Sequence, residues 1–227
     1  VKKRLFLAVS YSVAVTRRIA DAVARVRPVV EAAGLKVTWA PPQSLHVTTK
    51  FLGWTNAEVA DAIRDRVRVI LEGRKAFELG ARGVGTFPEE RHPRILWVGV
   101  HDGTGTLKAI AEATDASMAA LGFPRETRPF SPHVTIGRVK ESVGGAADAL
   151  APLRQTDFGS SLVREVILYE SVMKPNGSEY VALFRLPLSG PPPRPERQTR
   201  DVEEGSTNEE SNGGPTGESD RARRQLD

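Results

Sequence analysis

His133-Val134-Thr135-Ile136 repeats His46-Val47-Thr48-Thr49, 87 residues further along a chain that contains four histidines in 227 residues. Both tetrapeptides sit in apolar, β-branched runs, residues 45–52 and 132–139, that read as short strands. Side chains alternate across a strand, so His46 and Thr48 share one face, as do His133 and Thr135. Each run therefore offers one imidazole and one hydroxyl side by side. The bland alternative is a pair of half-buried histidines, each satisfied by its neighbouring threonine.

Outward from these runs the context repeats as well. Residues 4–10 form an apolar run flanked by charge, and Ile19, Val23, Val26 and Val30 follow at helical spacing in a segment from Thr16 to about Ala33. Residues 36–40 read as a short strand, and Pro41-Pro42 turns the chain toward the first histidine. The second copy opens with the strong strand Ile95-Leu96-Trp97-Val98-Gly99-Val100. A helix with Leu107, Ile110, Ala111 and Met118 on one side comes next, and Arg128-Pro129-Phe130-Ser131-Pro132 delivers the chain to His133. Leu5 precedes His46 by 41 residues and Leu96 precedes His133 by 37. A strand, helix, histidine-strand unit occurring twice argues an internal duplication and two similar lobes, each supplying one histidine to a common cleft.

Between the units, Asn56 reads as the N-cap of an amphipathic helix carrying Val59, Ile63, Val67 and Ile70. Residues 77–79 read as a strand and residues 83–88 as a loop. After the second unit, residues 161–171 and 179–186 are strand-like runs joined across Pro175-Asn176-Gly177, a hairpin turn, and are expected to complete the sheet of one lobe.

With 40% hydrophobic residues the chain can build a core. It has no cysteine, which removes disulfides, thiolate metal sites and cysteine nucleophiles together and suits a cytoplasmic location. No run of about 18 apolar residues exists, so no membrane span is expected. Residues 190–227 turn abruptly to proline, glutamate, serine, glycine and arginine, too poor in apolar side chains to fold, and read as a disordered tail behind a domain of residues 1–189. The tail carries a net charge of −3 and the body +7. A basic body favours an anionic partner.

No phosphate-binding glycine loop, dinucleotide fingerprint or H-E-x-x-H pattern is present, and the histidines lack metal-ligand spacing, so neither metal nor cofactor is expected. Two imidazoles can instead divide acid and base duties at neutral pH. In-line attack on a phosphodiester needs that division, because the attacking and leaving oxygens lie on opposite sides of phosphorus. Thr48 and Thr135 would hold non-bridging oxygens, with a cation beside them. Arg138 is the first choice, although it falls off the strict alternation and needs a strand end or a bulge to turn inward. Lys50 lies on the His46 face by parity and is the second choice, as a substrate-binding residue. His92 and His101 have no threonine two residues on and are set aside.

Leu45-His46-Val47-Thr48-Thr49-Lys50-Phe51-Leu52-Gly53, Phe130-Ser131-Pro132-His133-Val134-Thr135-Ile136-Gly137-Arg138 and the opening Arg4-Leu5-Phe6-Leu7-Ala8 together resemble the two-histidine (2H) phosphoesterase superfamily. Within it the similarity is to the RNA 2′,3′-cyclic phosphodiesterase family, historically called 2′-5′ RNA ligase, over roughly residues 3–187. Thr49 stands where that family commonly has an aliphatic residue. The resemblance implies an α+β, bilobal fold of two pseudo-twofold-related antiparallel lobes with helices outside and a central cleft. It also implies metal-independent opening of an RNA 2′,3′-cyclic phosphate to a 2′-phosphate. His46 would be the proton donor to the 3′-oxygen and His133 the base that activates water, with Thr48, Thr135 and Arg138 on the phosphate. A 5′-hydroxyl in place of water would give a 2′-5′ linkage. The expected partner is RNA or a nucleotide with such an end, with no protein partner. Other cyclic or 2′-5′-linked nucleotides, or RNA-end binding without turnover, are the alternatives.

Overall fold

Both histidine runs form strands, and the rest of the fold sets where those strands meet. In a computed structural model that describes residues 1–143, 145–174 and 177–188, the strands are β1 (Lys2–Val9), β2 (Leu35–Trp39), β3 (Val47–Asn56), β4 (Phe77–Phe87), β5 (Ile95–His101), β6 (His133–Ser142), β7 (Asp157–Val163), β8 (Glu165–Lys174) and β9 (Gly177–Pro187). The helices are α1 (Val13–Ala32), α2 (Val59–Leu71), α3 (Thr106–Ala119) and a single turn, α4 (Ala147–Leu150). The expected tail, residues 190–227, lies outside the described residues.

α1 begins three residues before the apolar spacing suggested, because the Ser12 hydroxyl accepts from the Val15 amide and caps it. Val15, Ile19, Ala22, Val26 and Val30 form its buried stripe. Asn56 does not cap α2. It is the last residue of β3, and α2 starts at Val59 with no side-chain cap. Residues 83–88 are not a loop, since β4 runs through Phe87 in register with β5. The glycines that suggested a loop serve the strand instead. Gly83 (φ +71°) takes up a register shift, and a side chain at Gly85 would collide with the Trp97 indole.

The sheet order is β7-β4-β5-β6-β3-β1-β8-β9, antiparallel throughout, with β2 also pairing β6. It divides into two four-stranded halves related by a pseudo-twofold, β6-β5-β4-β7 and β3-β1-β8-β9, each with its histidine strand innermost. The run 161–171 is two strands: Arg164 breaks it, so that β7 pairs β4 in one half while β8 pairs β1 in the other. The expectation that this segment and the next complete one lobe is thus corrected. The sequence repeats are also exchanged between the halves. α1 and β2, from the first repeat, pack on β7 and pair with β6, whereas α3, from the second, packs on β3 beside α2. One apolar core accordingly runs through both halves, from Leu5, Leu7 and Val47 to Leu96, Val98 and Val134. No described helix is long and apolar enough to cross a membrane.

Candidate active site

β3 and β6 meet at one Cα pair, Val47 opposite Val134, both essentially inaccessible and turned into the core. Antiparallel register then sets His46 against Thr135 and Thr48 against His133 one step to either side. All four side chains lie on the face opposite the two valines, around the pseudo-twofold. In a regular ladder the Cβ atoms of His46 and His133 would be diagonal neighbours at about 7–8 Å. The expected clustering of both motifs on one surface is what the topology produces, although it arises from two innermost strands of one sheet path.

Each imidazole is held by a backbone carbonyl two residues upstream. His46 Nδ1 lies 2.7 Å from the Ser44 carbonyl and His133 Nδ1 lies 2.8 Å from that of Ser131. A carbonyl only accepts, so Nδ1 carries the proton and Nε2 is the working nitrogen in the neutral ring. At His46 that nitrogen faces the Thr48 hydroxyl at 3.1 Å. The Ser-x-His spacing common to both motifs was the sequence signal for this clamp.

Two β-bulges decide the fate of the cations. In β6, Trp97 pairs Thr135 while Leu96 pairs Gly137, so Ile136 is the extra residue. Parity then resets, and Arg138, opposite Ile95, returns to the histidine face, exposed and without an ion pair among the described residues. This is the bulge that Arg138 required. In β3, Ala8 pairs Thr48 while Leu7 pairs Lys50, so Thr49 is extra. The same device turns Lys50 away from the site, which corrects the expectation that it binds substrate. Its ammonium is buried on the helix side, 2.8 Å from Asp115 Oδ1, 2.8 Å from the Pro124 carbonyl and 3.0 Å from Glu126 Oε1. Asp115 also accepts from Arg125 Nε and the Glu126 amide. Burial alone would raise the Asp115 pKa, but these donors outweigh it and draw it down to about 2.

The surroundings of His46 are aromatic. Its ring lies 4.9 Å from Phe6 and 5.0 Å edge-on from Tyr180, with Tyr169 at 6.3 Å. Desolvation by this wall is the main cause that lowers its pKa to about 4, outweighing the Ser44 carbonyl, and the nearby charges of Arg138 and His133 press the same way. Those charges place both residues within electrostatic reach. His46 is therefore neutral in the free protein at pH 7. His133 has Phe87 edge-on at 5.1 Å, with Trp97 beyond it. None of these five aromatic residues was singled out from sequence, because they come from β1, β4, β5, β8 and β9. His92 sits in an exposed loop beside Glu89, and His101 ends β5 opposite Gly80, two residues beyond the Gly99 that pairs His133. Among the described residues no three potential metal ligands gather.

The chain matches proteins already described. The sequence pattern of the 2′-5′ RNA ligase superfamily matches residues 15–172. A protein named RNA 2′,3′-cyclic phosphodiesterase from Methanothermobacter thermautotrophicus is 33% identical over 189 residues, covering 82% of this chain and all of that one. A protein of the same name from Aeropyrum pernix is 30% identical, covering 72% and 93%. Among solved structures, TT0787 of Thermus thermophilus superposes with a TM-score of 0.68 at 28% identity, covering 82% and 97%. LigT of Escherichia coli, complexed with 3′-AMP, does so with 0.68 at 25% identity, covering 84% and 100%. With its paired His-x-Thr strands on that fold, the chain belongs to the 2′-5′ RNA ligase superfamily.

Proposed function

We propose that this protein opens RNA 2′,3′-cyclic phosphate ends to 2′-phosphates by acid–base catalysis with His46 and His133 and without a metal. The observation that carries this reading is the pair of Nδ1-clamped imidazoles set about the Val47–Val134 pair, with Thr48 and Thr135 between them. The relatives named RNA 2′,3′-cyclic phosphodiesterase support the substrate. His133 Nε2 takes a proton from water as its oxygen bonds to phosphorus. The bond to the 3′-oxygen breaks on the far side, and His46 Nε2 gives that oxygen a proton, leaving the phosphate on the 2′-oxygen. The two threonine hydroxyls and the Arg138 guanidinium stabilise the non-bridging oxygens. A 5′-hydroxyl replacing water yields a 2′-5′ bond by the same steps.

As the acid, His46 must gain a proton that it lacks in the free protein. The bound phosphate anion provides for this, since an opposite charge in contact raises the pKa of the ring. The low pKa of free His46 favours a second reading, in which His46 is the base and His133 the donor.

The test is His46→Ala and His133→Ala assayed in chelator. Each should lower kcat by about 10²–10⁴-fold while leaving the Kd of a non-hydrolysable analogue within a few-fold. A better leaving group at the 3′ position should rescue His46→Ala alone, and rescue of His133→Ala instead assigns the reversed roles. Turnover that survives both substitutions, or that needs a divalent metal, refutes the mechanism. Tight analogue binding with no turnover in the parent protein makes it an RNA-end-binding protein.

A further inference from the structure

β3 carries a second bulge beyond the one at Thr49. Phe6 pairs Phe51 while Leu5 pairs Gly53, so Leu52 is extra. Two insertions change the spacing on the site face of β3 from two residues to three, and Thr48, Phe51 and Trp54 line up there opposite Ala8, Phe6 and Arg4 of β1. Thr49, Lys50, Leu52 and Thr55 go to the buried side. The outward row leads away from His46 through Phe6, whose ring is 6.0 Å from that of Phe51, and over about 20 Å of strand to Trp54. Phe51 is 56% and Trp54 66% exposed, a large apolar surface for a folded chain to leave in water. Arg4 and Lys2 lie beside the row, exposed and without ion pairs among the described residues.

The other half carries the same bulged scaffold with different side chains. Five and eight residues after its histidine, where β3 has Phe51 and Trp54, β6 has Arg138 and Glu141, the latter paired to Lys36 at 3.1 Å. The exposed rings of Phe51 and Trp54 thus have no aromatic counterpart at the matching positions of β6.

We infer that the Phe51–Trp54 row, with Arg4 and Lys2, is a track for the single-stranded RNA body upstream of the reacting end. The inference rests on the proposed reaction with His46 as the acid, and it names the substrate as an oligonucleotide. Geometry requires that side. In-line displacement places the leaving 3′-oxygen, and so the ribose that carries it, on the side of the group that protonates it. The 5′ chain continues from that ribose, across the half that holds His46. Exposed rings at regular intervals beside cations are what a single strand needs, because every base has a face to stack and every phosphate a charge to neutralise. The surface is also continuous with the candidate active site.

The experiment compares a 2′,3′-cyclic mononucleotide with a single-stranded RNA octamer ending in the same cyclic phosphate, using the full chain, Trp54→Ala and Trp54→Phe. The parent should favour the octamer in kcat/KM. Trp54→Ala should reduce that preference about tenfold, through KM, and Trp54→Phe should restore most of it. An unchanged preference, or an equal loss on both substrates, overturns the track. It would leave Trp54 to a protein partner or to the fold. If the parent opens neither substrate the catalytic reading fails, and the track is then tested by fluorescence anisotropy with a 3′-hydroxyl octamer. Its Kd should still weaken about tenfold in Trp54→Ala, and no weakening overturns the track independently.

Discussion

Replacing Lys50 by methionine keeps an unbranched side chain, one atom shorter, and removes the charge that ties β3 to the segment leading toward His133. All three ammonium protons have acceptors, and the side chain is 1% exposed against 12% for Asp115. Breaking a buried pair from one side typically costs about 3–5 kcal/mol. Arg125 and the Glu126 amide still compensate Asp115, so the lower end of that range applies. For a chain of this size, about 3 kcal/mol corresponds to a melting temperature lower by roughly 6–12 °C. Thermal unfolding followed by circular dichroism at pH 7 measures it. Lys50→Met/Asp115→Asn should be less destabilised than the two single changes added together, because no carboxylate is then left underpaired. Acid provides a second reading. The Asp115 pKa is depressed from 3.8 to about 2, so its contribution is fully present above pH 3.8 and is lost as pH falls through about 2. Stability of the parent should fall across that window more steeply than stability of the double variant. A Lys50→Met protein that melts with the parent while its KM for the cyclic phosphate rises would refute the assignment and return Lys50 to the substrate.

Three further outcomes follow from the site. His46 should titrate near pH 4 by NMR in the free protein and higher when a phosphate analogue is bound; titration near 6.5 without ligand would remove the desolvation argument. Because its folded pKa lies below its unfolded value, the unfolded chain takes up the proton first, and stability should decline as pH falls from 6.5 to 4, a slope that His46→Phe should flatten. Arg138→Gln removes the charge-assisted contact proposed for it and should raise KM or analogue Kd by about 10–100-fold with little change in melting, since Arg138 is exposed and holds no ion pair among the described residues; an unaffected Kd would exclude it from the phosphate.

Local patterning was sufficient to identify the two histidine strands, their threonines and the three long helices, because period-2 and period-3.6 burial are written into adjacent residues. The repeated order of strand, helix and histidine strand was legible for the same reason. Arg138 was recoverable with one added condition, a bulge, since its offset from His133 is odd. The side taken by Lys50 was not recoverable. A bulge is set by how two strands pair, and parity counted along β3 alone cannot register the extra residue at Thr49 that β1 imposes. Long-range pairing likewise broke the run at Arg164, drew residues 83–87 into β4 and exchanged α1 and β2 between the halves. The aromatic wall that holds His46 neutral comes from strands more than 100 residues apart in sequence, Phe6 on β1 and Tyr169 and Tyr180 on β8 and β9. The sequence by itself determined which residues could do the chemistry, through type and spacing. Which face each residue takes, and what surrounds it, was decided by the tertiary structure, because strand register and desolvation depend on partners distant in the chain.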